Sequence, residues 1–243
     1  MGNKPYYCAY EERYKKAYEA GAERWGHVPE DDELTETLTN WVDKHNLRGK
    51  RIIEFACGEG AAGVILSKLG CAYHGVDIAP SAIAKAESEL KKYSNSTVEL
   101  LDMVNQKADG IFDAALDVTG FHMLVTDGDR TKYLSNMFSS LNPGSPVLFV
   151  HESYRADAEN VNINSYSDWE NYSDSDYRKP EQRFVHQNGK KVEVWVPLVP
   201  CRAKNKDGYI AELNSAGFIV DDFIEMETSH KITTSATISA HKP

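Results

Sequence analysis

The chain has 243 residues, with 27 Lys and Arg against 37 Asp and Glu, a formal charge of −10 and 41% hydrophobic residues. That is enough for one domain of about 150 residues plus a sizeable insertion or extension, and the acidic balance, with no basic run to follow a phosphate backbone, argues against nucleic acid as a partner. No apolar stretch reaches the ~20 residues that cross a bilayer. The opening Met-Gly-Asn-Lys-Pro lacks a secretory core, and cysteines 8, 57, 71 and 201 form no CxxC or CxxH pair, so the expectation is a cytoplasmic protein with reduced thiols and no metal.

In chain order, residues 6–25 place Tyr6, Tyr10, Tyr14 and Tyr18 four apart, an aromatic stripe on one helix face until Gly21 and Gly26 interrupt it. A second helix is predicted over 30–45, with Leu34, Leu38, Trp41 and Val42 on one side and Asp31, Asp32 and Glu33 in its first turn. Strand-like runs at 51–56, 71–77, 97–102, 111–118 and 145–152 then alternate with amphipathic stretches at 61–70, 80–93 and 129–141. Such alternation predicts an α/β fold with a doubly wound parallel sheet. Residues 152–182, rich in Tyr, Asp, Ser and Asn, read as a lid or long loop. Asn188-Gly189 between two strand-like runs predicts a β-hairpin. A helix at 206–216 is followed by two strand runs about Thr228-Ser229, an antiparallel end to the sheet. The division expected is a helical cap at 1–47, a ligand-binding core at 48–152, a lid and hairpin insertion at 153–204, and a helix and hairpin at 205–243 completing the core sheet.

Gly58-Glu59-Gly60-Ala61-Ala62-Gly63 fits GxGxxG after a strand, and Asp77 closes the next strand about 20 residues on, which by spacing alone is a dinucleotide site. Charge points elsewhere. A pyrophosphate binds bare amides at a helix N-terminus, whereas Glu54 flanks this turn and Glu59 sits inside it. A ligand with a cation and no phosphate suits those two acids. The run 52–60, Ile-Ile-Glu-Phe-Ala-Cys-Gly-Glu-Gly, resembles motif I of the class I S-adenosylmethionine-dependent methyltransferases, with Ala56 where the family has its first glycine. In the same order, Gly75-Val76-Asp77-Ile78 resembles the family's second strand end, Leu101-Asp102-Met103 its third, and residues 112–118 its fourth strand. Leu141-Asn142-Pro143-Gly144-Ser145 resembles the turn before the fifth, with Ser145 replacing a glycine.

The resemblance covers about 48–152 and, less closely, 212 onward. It implies a seven-stranded, mostly parallel Rossmann-like sheet with an antiparallel last strand, S-adenosyl-L-methionine as cofactor, and methyl transfer; the cap points to a small-molecule acceptor. It also implies that Glu54, Ala56, Cys57, Gly58 and Gly60 hold the methionine moiety, Asp77 and Ile78 the ribose, and Asp102 and Met103 the adenine. Asp117 and Val118 would lie at the amino end, with Tyr14 or Trp25 closing over the ligands. His122 and His151 follow the fourth and fifth strands at the rim of the sheet, and either suits an acceptor that must lose a proton, as base or orienter; a packing role suits each equally. The lid aromatics Tyr154, Tyr166, Trp169, Tyr172 and Tyr177, set among acids, suit an amine-bearing acceptor or simply dock an acidic loop. Cys57 has no base beside it and reads as structural. An NAD(P)-dependent oxidoreductase, an enzyme using the same cofactor for aminopropyl transfer or cofactor carboxylation, and a non-enzymatic S-adenosylmethionine-binding protein remain as alternatives.

Overall fold

The computed structural model describes residues 4–173, 176–177, 179–187, 190–227 and 234–243; the Asn188-Gly189 and Thr228-Ser229 turns lie outside the described residues. A short 3-10 turn, Tyr6–Cys8, leads into α1 (Ala9–Glu19) and α2 (Asp32–Lys44). Then come β1 (Arg51–Phe55), α3 (Ala61–Lys68), β2 (Ala72–Asp77), α4 (Pro80–Leu90), β3 (Ser96–Leu100), β4 (Ala114–Val118), α5 (Asp127–Ser139) and β5 (Pro146–Ser153). The chain continues through α6 (Tyr166–Ser173), the hairpin strands β6 (Pro180–Gln187) and β7 (Lys190–Pro197), α7 (Lys206–Ser215), β8 (Ile219–Glu227) and β9 (Thr234–His241).

Seven strands make one sheet in the order β3-β2-β1-β4-β5-β9-β8. β1 to β5 are mutually parallel, and β9 runs antiparallel between β5 and β8, as the terminal strand pattern predicted. All of β4 and nearly all of β5 are buried because helices cover both faces, which is why these strands read as continuous apolar runs without alternation. One face packs Phe55, Tyr133, Phe149 and Phe218; the other packs Leu38, Trp41, Ile65 and Leu148. The start of α2 is fixed by Asp31, whose carboxylate accepts the Leu34 amide at 3.0 Å.

The strand order reverses between β1 and β4, so their carboxyl ends open a crevice at the point where such sheets bind ligands. A second layer covers it. Ala17 and Ala22, from α1 and just beyond it, pack on Val185, Val194 and Val196 of the hairpin. Strand alternation turns those valines inward and leaves Phe184 and Trp195 exposed. The stretch 152–182 departs from the long loop expected, since it holds α6. Trp169 is buried with Val125 and Ile163, and Tyr166 stacks on Tyr6 with centroids 5.0 Å apart. Ring packing fixes this short helix where sequence periodicity is too weak to announce it.

Candidate active site

β1 runs into a turn that enters the left-handed region at Ala56, with φ of 56°, and returns to it at Gly58 and Gly60. A glycine would hold that geometry freely, whereas alanine carries about 1–2 kcal/mol of strain. The Ala56 methyl group in turn explains Gly120, where a Cβ would lie 2.5 Å from it and 2.9 Å from the Asp117 carboxylate. The amides of Ala56, Cys57, Gly58 and Gly60 are spent internally. Gly58 donates to Asp77 Oδ2 at 2.8 Å, Gly60 to the Cys57 carbonyl at 3.0 Å, and Ala56 to the Met103 sulfur at 3.1 Å. A pyrophosphate would find these donors taken. Glu59 has a different task, because its buried carboxylate accepts the Tyr18 hydroxyl at 2.6 Å and the Trp25 and Gly26 amides at 2.9 and 2.7 Å. It ties the N-terminal segment onto the turn.

The crevice is a cavity of about 910 Å³. Of the residues singled out in the sequence, Tyr14, Trp25, Glu54, Ala56, Cys57, Gly58, Asp77, Ile78, Asp102, Met103, Val118 and His151 line it. Asp77 accepts the Gly58 and Ala79 amides, one on each carboxylate oxygen at 2.8 Å, so each oxygen keeps a lone pair for a ligand. Burial pushes its carboxyl up to about 6, against the pull of those amides. Glu54 is pushed well above the usual carboxylate range by burial and by the nearby Asp117 and Asp77 charges, with the Tyr73 hydroxyl that bonds it pulling the other way. Asp102 accepts Asn105 Nδ2 at 2.9 Å and the Tyr7 hydroxyl at 3.3 Å. Burial drives the Cys57 thiol well up, which leaves it a packing residue.

Gly60, Asp117 and His122 stand behind the wall. Gly60 caps α3. Asp117 is fully buried, accepting the Gly120 amide at 2.7 Å and the Tyr133 hydroxyl. His122 follows β4 as its position suggested, but the 3-10 turn Phe121–Met123 carries it inward, where Nδ1 lies 2.9 Å from Glu152 Oε2. Thr119, Gly120 and Met123 take the wall in its place. Burial raises Glu152 to about 7, and burial together with the Glu152 charge raises Asp117 well above its usual value.

His151 does reach the cavity. β5 slips register with β9 between Phe149 and Glu152, and His151 sits in that irregularity with φ of 57°. Its Nε2 lies 3.3 Å from Glu33 Oε1 without the alignment of a hydrogen bond, and its ring centroid is 6.1 Å from that of His27. His27 Nδ1 in turn lies 3.6 Å from Asp31 Oδ2. Burial raises the Asp31 carboxyl, but the Leu34 amide and the His27 ring outweigh it and hold its pKa below the usual value. Thr119, His27, Glu33 and Tyr7 escaped the sequence reading. The acids at 31–33 had shown only as a helix start, and Thr119 carries no motif. No described residue of 152–177 lines the cavity, whereas the hairpin contributes Phe184 and Val185. Tyr166, Trp169 and Tyr177 dock α6 against Tyr6 and Ile163, whereas Tyr154 packs on Phe223 of β8.

Residues 53–147 match the family model described as a methyltransferase domain. The chain is 37% identical over 70 residues to a ribosomal protein L11 methyltransferase of Sodalis glossinidius, covering 28% of this chain and 23% of that protein. It is 29% identical over 143 residues to a ubiquinone biosynthesis O-methyltransferase of Azotobacter vinelandii, covering 54% of this chain and 59% of that protein. The chain thus spans less than two thirds of these curated relatives. An S-adenosylmethionine-dependent methyltransferase structure from Clostridium acetobutylicum shares the fold, with a TM-score of 0.63 and 15% identity over 94% of this chain and 95% of that one. The seven-stranded, mostly parallel architecture with antiparallel last strands matches that of this methyltransferase structure. Residues 53–147 thus resemble a methyltransferase domain, and the fold is one that S-adenosylmethionine-dependent methyltransferases of known structure share. Among the described residues no helix is long and apolar enough to cross a membrane.

Proposed function

We propose that the protein transfers a methyl group from S-adenosylmethionine to a small-molecule acceptor, with residues 1–47 and 153–204 forming a cap over a core of 48–152 and 205–243. The observation that carries this reading is a set of three carboxyl groups, Glu54, Asp77 and Asp102, lining one cavity at the ends of β1, β2 and β3. Such a wall favours hydroxyls, amines and a cation over phosphate. Asp77, with a lone pair left on each oxygen, would take the ribose hydroxyls, Asp102 the exocyclic amine with Met103 against the ring, and Glu54 the ammonium. The bound cofactor supplies a methyl carbon already activated by a sulfonium. What remains for the protein is alignment, exclusion of water and, for a protic acceptor, removal of a proton. Tyr14 and Trp25 form part of the roof, held in place by Glu59.

The cavity volume and the cap support a small acceptor, and the name of the Azotobacter vinelandii relative supports an oxygen nucleophile. Calorimetry tests the cofactor assignment. S-adenosylhomocysteine should bind in the micromolar range and NADH should give no signal; the reverse would replace this reading with an oxidoreductase. Mass analysis of candidate acceptors after incubation with S-adenosylmethionine distinguishes a methyltransferase from a protein that only binds the cofactor.

A further inference from the structure

Among the described residues, three of the four non-glycine positions with positive φ line the cavity: Ala56 after β1, Thr119 after β4 and His151 in β5. Strain of this kind persists where the surrounding structure has a use for the geometry. At Ala56 the use is the cofactor turn. At His151 the irregularity in β5 brings a 5% exposed imidazole to the wall while Glu152 returns to the core. Buried there, Nε2 has no hydrogen-bond partner, only the Glu33 carboxylate 3.3 Å away. His27 and Asp31 are the other titratable groups beside this ring.

The charges around the cavity narrow what this imidazole can serve. Arg13 pairs with Glu181, and Arg24 and Lys85 both pair with Glu89, so each long basic side chain in the wall already has a carboxylate. An anionic acceptor would have to displace one of them. Among the wall acids Asp31, Glu59 and Glu89 have partners and Glu23 and Glu30 are exposed to solvent, while Leu34, Met123 and Phe184 add apolar wall, so a neutral acceptor disturbs none of these pairs.

We propose that His151 is the base that takes the proton from the methyl acceptor, that Glu33 is its positioning carboxylate, and that the acceptor is a neutral, weakly acidic hydroxyl of the phenol class. This rests on the methyltransferase reading above. With Nε2 toward Glu33, the ring keeps Nδ1 for the acceptor hydroxyl. The acceptor oxygen forms its bond to the methyl carbon with its own electron pair and gives its proton to His151; the electron pair of the broken carbon–sulfur bond stays on sulfur. The imidazolium so formed is offset by Glu33, whose half-exposed side chain lets solvent screen part of the effect.

The test uses 4-nitrophenol, whose absorbance reports its own ionisation, titrated with the full chain in the presence of S-adenosylhomocysteine at a pH where the free probe is mostly neutral. The wild type should generate the phenolate band on binding. His151→Gln should abolish it, Glu33→Gln should reduce it 3- to 10-fold, and Glu33→Asp should restore most of it. No band with the wild type, or a band undiminished in His151→Gln, overturns the proposal. So does benzylamine if it displaces the probe at lower concentration than phenol does. S-adenosylhomocysteine binding, followed by calorimetry in the same samples, should be unchanged within 3-fold in all variants; its absence in the wild type would sink the cofactor reading separately, leaving the probe band to judge His151.

Discussion

Glu54 favours its protonated form in the free protein because burial and two neighbouring acids disfavour its charge. A bound ammonium would reverse that preference, so the proposed complex holds fewer protons than the free protein and cofactor affinity should rise with pH. Calorimetry of S-adenosylhomocysteine in two buffers of different ionisation enthalpy should detect the released proton. In Glu54→Gln the release should vanish and affinity should fall about 10-fold or more, the worth of a hydrogen bond to a charged group. Equal heats in the two buffers with the wild type would remove Glu54 from the ammonium site. A second residue-scale outcome concerns Ala56. Glycine relieves the left-handed strain but adds freedom to the unfolded chain, so Ala56→Gly should stabilise by no more than about 1 kcal/mol, a melting shift of about 2–4 °C. Gly120→Ala should destabilise severely, because its Cβ would fall 2.5 Å from that of Ala56. The cavity acids of the proposed cofactor half were legible in the sequence because each lies at or just beyond a strand end that a local motif marks.

At the scale of elements, the tyrosine stripe of α1 and the turn before it reads as a helix lying on something, and its partners explain the spacing. The Tyr6 hydroxyl accepts the Val125 amide at 2.9 Å, the Tyr10 hydroxyl donates to the Pro200 carbonyl at 2.7 Å, Tyr14 lies over Gly58, and Tyr18 bonds Glu59. Helical periodicity could announce the stripe but not its four separate partners. Of the proposed acceptor half only His151 and the hairpin were legible, each from a strand pattern; Thr119 and the residues ahead of α2 that join them carry no helix or strand period. Glu59 is the joint between the roof and the glycine turn. Glu59→Ala leaves the Trp25 and Gly26 amides and the Tyr18 hydroxyl without their acceptor, at about 1–3 kcal/mol for each group kept from water. Limited proteolysis should then cut between Gly21 and Pro29 faster than in the wild type, with S-adenosylhomocysteine affinity reduced about 10-fold. Unchanged cleavage would mean that the hydrophobic contact of Ala17 and Ala22 with the hairpin holds the roof alone.

For the molecule as a whole, the cavity end of the sheet sets how stability follows pH. Asp77 is raised to about 6 and Glu152 to about 7 by burial, and Glu54 and Asp117 are raised well above their usual values. A carboxyl whose folded pKa exceeds its unfolded value contributes stability that is complete below the unfolded value, about 4, and is lost as pH climbs through the folded one. Glu212 works in the opposite sense. Burial raises it, but Arg130 at 2.7 Å and Lys204 at 2.7 Å outweigh burial, so its contribution is present above the unfolded value and lost in acid. The two trends cross near the unfolded carboxyl value, which places the stability maximum contributed by these groups in acid, at roughly pH 4 to 5. The melting temperature of the free protein should therefore fall between pH 6 and 8.5, and Glu54→Gln should lessen that fall by removing one of the four contributions. Saturating S-adenosylmethionine should reverse the Glu54 part, since a ligand that binds only the folded state and favours the ionised carboxyl stabilises more at higher pH. Differential scanning fluorimetry across this range, with and without the cofactor, gives both slopes; a melting temperature that rises from pH 6 to 8.5 in the free protein would show that these carboxyl groups ionise in the fold as easily as in the unfolded chain.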